Sequence, residues 1–208
     1  MSVLTILLLF TALLLTRVSR LKTAVNIILA QSLMVALACG AAGIEAGAMH
    51  MYIAAGLTGI IKVGLIPYGL MNIVSKLKNE REDNPFLKVN SSTASACVAI
   101  VLAYSLIDHA LPGAGSRDSL ASAVAMTLIG LLLIMTRRQA VMQIIGLITM
   151  ENGIYLVGLS VTKGLPLIIE LGVFFDVLVA VVVLGILTYR LKLSGISTDT
   201  SMLKKLKG

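Results

Sequence analysis

A chain of 208 residues in which 58% are hydrophobic and 13% charged, with a mean hydropathy of +0.99, is far too apolar for an ordinary soluble domain of its length. The net charge of +7 would suit nucleic acid, but the basic residues cluster in the gaps between apolar runs and form no soluble basic face. Composition therefore places the chain in a lipid bilayer and excludes a nucleic-acid partner: the expected fold class is all-α, a polytopic helical membrane protein.

In chain order, seven membrane helices are predicted, over residues 2–16, 23–43, 48–75, 91–111, 119–136, 139–162 and 166–189. They form one transmembrane domain, 1–208, in which 1–75 holds helices one to three, 76–90 a charged cytoplasmic loop, 91–111 helix four, 119–189 helices five to seven, and 190–208 a basic cytoplasmic tail. Helix one is short, about 15 residues, so it spans with little tilt or begins in the interface. It has no basic n-region and no Ala-x-Ala exit, which reads as a retained helix.

Fourteen basic residues fall in alternate gaps: Arg17, Arg20 and Lys22; Lys76, Lys78, Arg81 and Lys88; Arg137 and Arg138; Arg190, Lys192, Lys204, Lys205 and Lys207. Only Arg117 and Lys163 lie in the other gaps, and Lys62 lies inside helix three. By the positive-inside rule the N-terminus is outside and the C-terminus cytoplasmic. Cys39 and Cys97 then sit near opposite membrane faces, too far apart to pair, and are expected as buried small apolar residues. A basic residue opens helix two at Lys22-Thr23-Ala24-Val25 and helix six at Arg138-Gln139-Ala140-Val141, which suggests that helices one to three repeat as five to seven.

Acids are the informative residues, because a carboxylate at the centre of a membrane helix costs about 2.5–3.5 kcal/mol. Helix six runs outward and brings Glu151 to mid-membrane, helix seven runs inward and brings Asp176 to a similar depth, and Lys62, about fifteen residues into helix three, falls in the same layer. Burial disfavours the charged form of each group while an opposite charge restores it, so such a layer can take up and release protons on a small rearrangement. Glu170, about 9 Å of helix rise outside Asp176, is a candidate port toward the outer face. The competing reading is that these charges lock helices together in static pairs.

Other polar residues carry less. His50, Asp108 and His109 fall near the outer face at spacings that match no metal-ligand pattern, and the ten methionines are dispersed packing residues. Asn26, Gln31 and Gln143 read as helix-bridging groups, any of which could extend a water chain. Pro67, five residues past Lys62, should bend helix three and free backbone carbonyls there. No nucleotide-binding loop, nucleophile triad or cofactor cysteine cluster is present in the sequence.

At Arg137-Arg138-Gln139, Ile145-Gly146-Leu147, Met150-Glu151-Asn152-Gly153 and Glu170 with Asp176, together with Ile61-Lys62-Val63, Pro67 and the ending Leu206-Lys207-Gly208, the chain resembles the E component of energy-converting (formate-hydrogenlyase-type) membrane hydrogenases, of the HyfE type. The resemblance spans helices two to seven, and the C-terminal third is similar to the NuoK subunit of respiratory complex I. In that subunit a glutamate follows an Ile-Gly-Leu run. Here Ile148 takes its place and Glu151 lies one turn on along the same face, while Asp176 stands where a second glutamate belongs.

The resemblance implies a non-catalytic subunit of a redox-driven ion-translocating complex in a prokaryotic inner membrane. Its implied partners are antiporter-like and other small membrane subunits and a peripheral hydrogenase arm. It implies no cofactor in this chain, with [NiFe] and Fe-S centres in the partners. Glu151, Asp176, Lys62 and Glu170 are the proton-relay candidates. A structural scaffold of the same kind of complex, a subunit of a multisubunit cation/proton antiporter, and a stand-alone secondary transporter are the alternatives.

Overall fold

The computed structural model describes residues 2–46, 56, 58–77, 80–82, 84–110, 117–162, 178, 181, 185 and 189. Among them every extended element is a helix: α1 (Ser2–Arg17), α2 (Leu21–Ala46), a π-helical segment (Thr58–Leu65) continuing into α3 (Ile66–Lys76), α4 (Val89–Ala110), α5 (Arg117–Thr136) and α6 (Ala140–Thr162). Leu21–Ala38, Val89–Ala110, Arg117–Thr136 and Ala140–Gly158 are each long and apolar enough to cross a bilayer, and Leu4–Arg17 and Gly59–Ser75 are shorter apolar helices. The chain is a polytopic helical membrane protein.

The predicted and observed helix ends differ by three residues or fewer wherever both are described. Helix three is the exception in kind. Pro67 has no N–H and its ring would collide with the carbonyl four residues back, so an unbroken α-helix cannot run from Lys62 past it. The backbone widens to a π-helix before the proline and returns to α at Ile66, placing Pro67 in a first turn where no intrahelical donor is required. The seventh predicted run lies outside the described residues except for Leu178, Val181, Gly185 and Tyr189, which are helical. A Cβ added at Gly69 would meet Val181 at 3.5 Å and one added at Gly185 would meet Ile73 at 3.2 Å, so Val181 and Gly185 lie against α3.

The centre of the bundle is two hairpins side by side, α1–α2 and α5–α6, with α1 packed on α5 and α2 on α6. The close approach of α5 and α6 has a sequence cause. A Cβ at Gly130 would strike the backbone of Met150, one at Gly146 would lie 2.9 Å from the backbone nitrogen of Ile134, and one at Gly153 would strike Thr127. In lipid, helices gain little by hiding apolar surface from water, so backbone approach through small residues supplies the van der Waals contact that holds them. Leu8, Ala12, Leu15, Val25, Ile28, Met126, Ile129, Leu133, Ile145 and Ile148 fill the seam between the hairpins. The π segment and α3 pack on α2, and α4 covers α1 and α5 while leaving Val98, Val101, Leu102 and Leu106 exposed. Cys97, expected to be buried, lies on that exposed face of α4; α4 touches the bundle along one narrow stripe, Ser92, Ala96 and Ala103, and Cys97 falls beside it.

The turns 18–20 and 137–139 and the segment 80–88 gather at one end of the bundle, where the backbone of Leu21 donates to Glu80 (2.9 Å), Glu82 to Ser19 (2.9 Å) and Phe86 to Thr136 (2.9 Å). Arg17, Arg20, Lys22, Arg81, Lys88, Arg137 and Arg138 are therefore on one side, as their alternation along the sequence requires.

Candidate functional site

Among the described residues two ion pairs are buried in the bundle, at different depths. The deeper joins Lys62 of the π segment to Glu151 of α6: Nζ lies 2.5 Å from Oε1, and the side chains are 0% and 6% exposed. Glu151 is eleven residues into α6, about 16 Å of rise, half the thickness of a hydrocarbon core of about 30 Å. Lys62 also donates to Oδ1 of Asn152 (2.9 Å), Asn152 donates to Oε1 of Gln31 on α2 (3.3 Å), and Gln31 donates to Oγ1 of Thr11 on α1 (3.2 Å). Lys62, Glu151, Asn152 and Gln31 are all buried, with Tyr155 buried one turn beyond Glu151.

The local sequence explains how a lysine is held here. Lys62, Ile66 and Leu70 follow one another at four-residue spacing and are all buried, so the π segment keeps Lys62 on the inward side of the helix, in contact with Glu151 of α6. Gly153 lets α5 close on α6 right beside Glu151 and Asn152, excluding lipid from the pair. Removing either partner would strand a charge in a medium where a lone ion costs several kcal/mol. Transfer of one proton from Nζ to Oε1 converts the ion pair to a neutral pair with no change in net charge. The arrangement can therefore hold a proton on either side of a 2.5 Å contact.

Counting rises along the sequence places Lys62 and Glu151 at one depth, and they are in contact. Asp176 and Glu170 lie outside the described residues, as does His50. Of the three predicted helix-bridging residues, Gln31 joins α1 to α6, Gln143 donates to the carbonyl of Arg137 within its own hairpin (2.9 Å), and Asn26 faces out of the bundle. Asp108 pairs with Arg117 at 2.5 Å, both substantially exposed, and His109 is exposed beside them. Among the described residues no three His, Cys, Asp or Glu side chains are grouped to hold a metal ion.

The second pair is one that sequence reasoning passes over. Arg137 Nη1 lies 2.8 Å from Glu82 Oε2, with side chains 2% and 1% exposed. The other guanidinium nitrogen donates to the carbonyls of Leu15 (3.0 Å) and Thr16 (2.7 Å), which closes the C-terminus of α1. Glu82 Oε1 accepts from the backbone of Arg138 (2.8 Å) and Gln139 (3.2 Å), the donors that open α6. Arg138 lies over the ring of Phe86, 5.9 Å from its centre. A carboxylate inside the run Glu80-Arg81-Glu82 carries no local mark of burial. Arg137, read from sequence as one of the topological charges, is on the expected side but is a buried structural ion as well.

Hydrogenase-4 component E of Escherichia coli is 30% identical over 154 residues, 72% of this chain and 70% of that protein, and the protein of the same name from Shigella flexneri matches to the same extent. An uncharacterized protein of Mycobacterium tuberculosis is 34% identical over 131 residues, which are 62% of this chain and 59% of the relative, less than two thirds of its length. No family model and no solved structure matches the chain. With 30% identity over more than two thirds of a relative, the chain belongs to the hydrogenase-4 component E family.

Proposed function

We propose that the chain is a non-catalytic membrane subunit of a redox-driven ion-translocating complex in a prokaryotic inner membrane, and that Lys62, Glu151 and Asp176 carry protons through its interior. The buried 2.5 Å contact between Lys62 and Glu151 at mid-membrane carries this reading. Ionisable groups are retained at that depth where charge or protons move, and this pair is placed to exchange one. Asp176 is the second carboxylate of the relay and Glu170 its outward port. The relative's name, a component of a hydrogenase, supports an accessory place beside a redox arm and other membrane subunits, where any [NiFe] and Fe-S centres would reside. The test is the intact complex reconstituted in liposomes: Glu151→Gln or Asp176→Asn leaves assembly and electron transfer in place and lowers ion pumping, whereas undiminished pumping in both variants removes the relay.

The second reading is a scaffold whose charges are static. It is favoured by the Glu82–Arg137 pair, which is hydrogen-bonded to the ends of α1 and α6 and ties three connections together. On that reading Glu151→Gln and Asp176→Asn lose assembly, and co-purification of neighbouring subunits separates the two.

A further inference from the structure

The polar chain leading away from Lys62 has a fixed direction. A lysine side chain only donates through its ammonium, so the Asn152 amide must turn Oδ1 toward it. That leaves Nδ2 facing Gln31, which must meet it with Oε1, and this in turn aims Nε2 at Thr11. The Thr11 hydroxyl accepts there and spends its own hydrogen on the Leu8 carbonyl, 2.7 Å away. Reversing any amide would set donor against donor, so the order Lys62, Asn152, Gln31, Thr11, Leu8 is the one that satisfies each member. Four elements contribute to it: the π segment, α6, α2 and α1.

We propose that Asn152, Gln31 and Thr11 are positioning residues that hold the Lys62 amine by one N–H in both of its protonation states, so that this N–H is never the one given up and the amine keeps its place against Glu151. The inference rests on the relay reading above. A charged Lys62 has three N–H groups and a neutral one has two and a lone pair; since Asn152 Oδ1 can only accept, one N–H stays with it in either state. The N–H that is lost is therefore one of the other two, and the amine is in contact with Glu151. The carbonyl of Leu8, fixed in α1, anchors the far end, which makes α1 part of the site although it contributes no charge at that depth.

The experiment uses the assembled complex in liposomes and reads ions moved per electron alongside electron transfer and co-purification. Thr11→Val preserves volume and removes the hydroxyl; loss of one net hydrogen bond lowers the properly held fraction about fivefold, and pumping per electron falls by up to that factor while assembly and electron transfer hold. Thr11→Ser keeps the hydroxyl and keeps pumping. Asn152→Asp keeps the shape of the side chain but cannot donate to Gln31 when ionised, and it also loses pumping. Asn152→Leu combined with Gln31→Leu pumps no worse than Asn152→Leu alone, because the two act in series. Equal pumping in Thr11→Val and the parent chain, or losses that multiply in the double variant, overturns the inference. Glu151→Gln is run beside them. If it pumps normally, the relay reading has failed; if it does not pump while the Thr11 and Asn152 variants do, the relay stands and only the positioning role is lost.

Discussion

Replacing Arg137 by methionine removes one half of a pair that is 2% and 1% exposed. The carboxylate of Glu82 keeps the backbone donors of Arg138 and Gln139 but loses its counter-ion, and the carbonyls of Leu15 and Thr16 lose the donor that closed α1. Stranding one partner of a buried pair costs about 3–5 kcal/mol. The remaining N–H bonds offset part of that for Glu82, while each abandoned carbonyl adds about 1 kcal/mol, so the total stays at about 4 kcal/mol. The assay is reversible unfolding of the purified chain in mixed micelles, read by helicity against denaturing detergent. Arg137→Met with Glu82→Leu removes both charges together and is expected to cost no more than Arg137→Met alone, since no ion is left unpaired. A single variant within about 1 kcal/mol of the parent chain, or costs that add in the double, refutes the assignment of this pair as the clamp of the connection.

Four further variants test other contacts of the bundle. Lys22 and Glu80 pair at 2.7 Å with side chains half exposed, and Glu80→Gln is expected to change unfolding by less than about 1 kcal/mol. Gly130→Ala drives a Cβ into the backbone of Met150, which cannot swing aside; it should cost about 1–3 kcal/mol in the same assay, whereas Gly59→Ala, with nothing within 4 Å of the added carbon, should be close to neutral. Asp108→Asn, at an exposed pair with Arg117, should leave both stability and pumping unchanged.

What could be read from sequence was what depends on periodicity and depth. Long apolar runs mark spans because the bilayer leaves no other solution for the backbone, and a residue count along each run fixes depth, which is why Lys62 and Glu151 could be set level before their contact was known. What could not be read depends on rotation and on chain segments meeting from far apart. Gln31 and Asn152 are 121 residues apart, and nothing local distinguishes Gln31 from Asn26, which points out of the bundle. Pro67 signalled an interruption, but a kink and a π segment answer the same missing donor, and only packing against α2 selects the second. Glu82 was hidden for the opposite reason: alternating charges in a connection usually stay in water, and its burial comes from Arg137, 55 residues away. The resemblance to the hydrogenase component rests on short motifs spread from Ile61 to Asp176 and on the ending Leu206-Lys207-Gly208, and the 30% identity to a relative spans 154 residues.

The most direct test of the account is Lys62→Met in the assembled complex, with ions moved per electron measured in liposomes beside the rate of electron transfer. Methionine follows the lysine stem and removes the charge that pairs with Glu151. The account expects electron transfer and co-purifying subunits to persist while pumping per electron collapses; pumping at the parental ratio would contradict it.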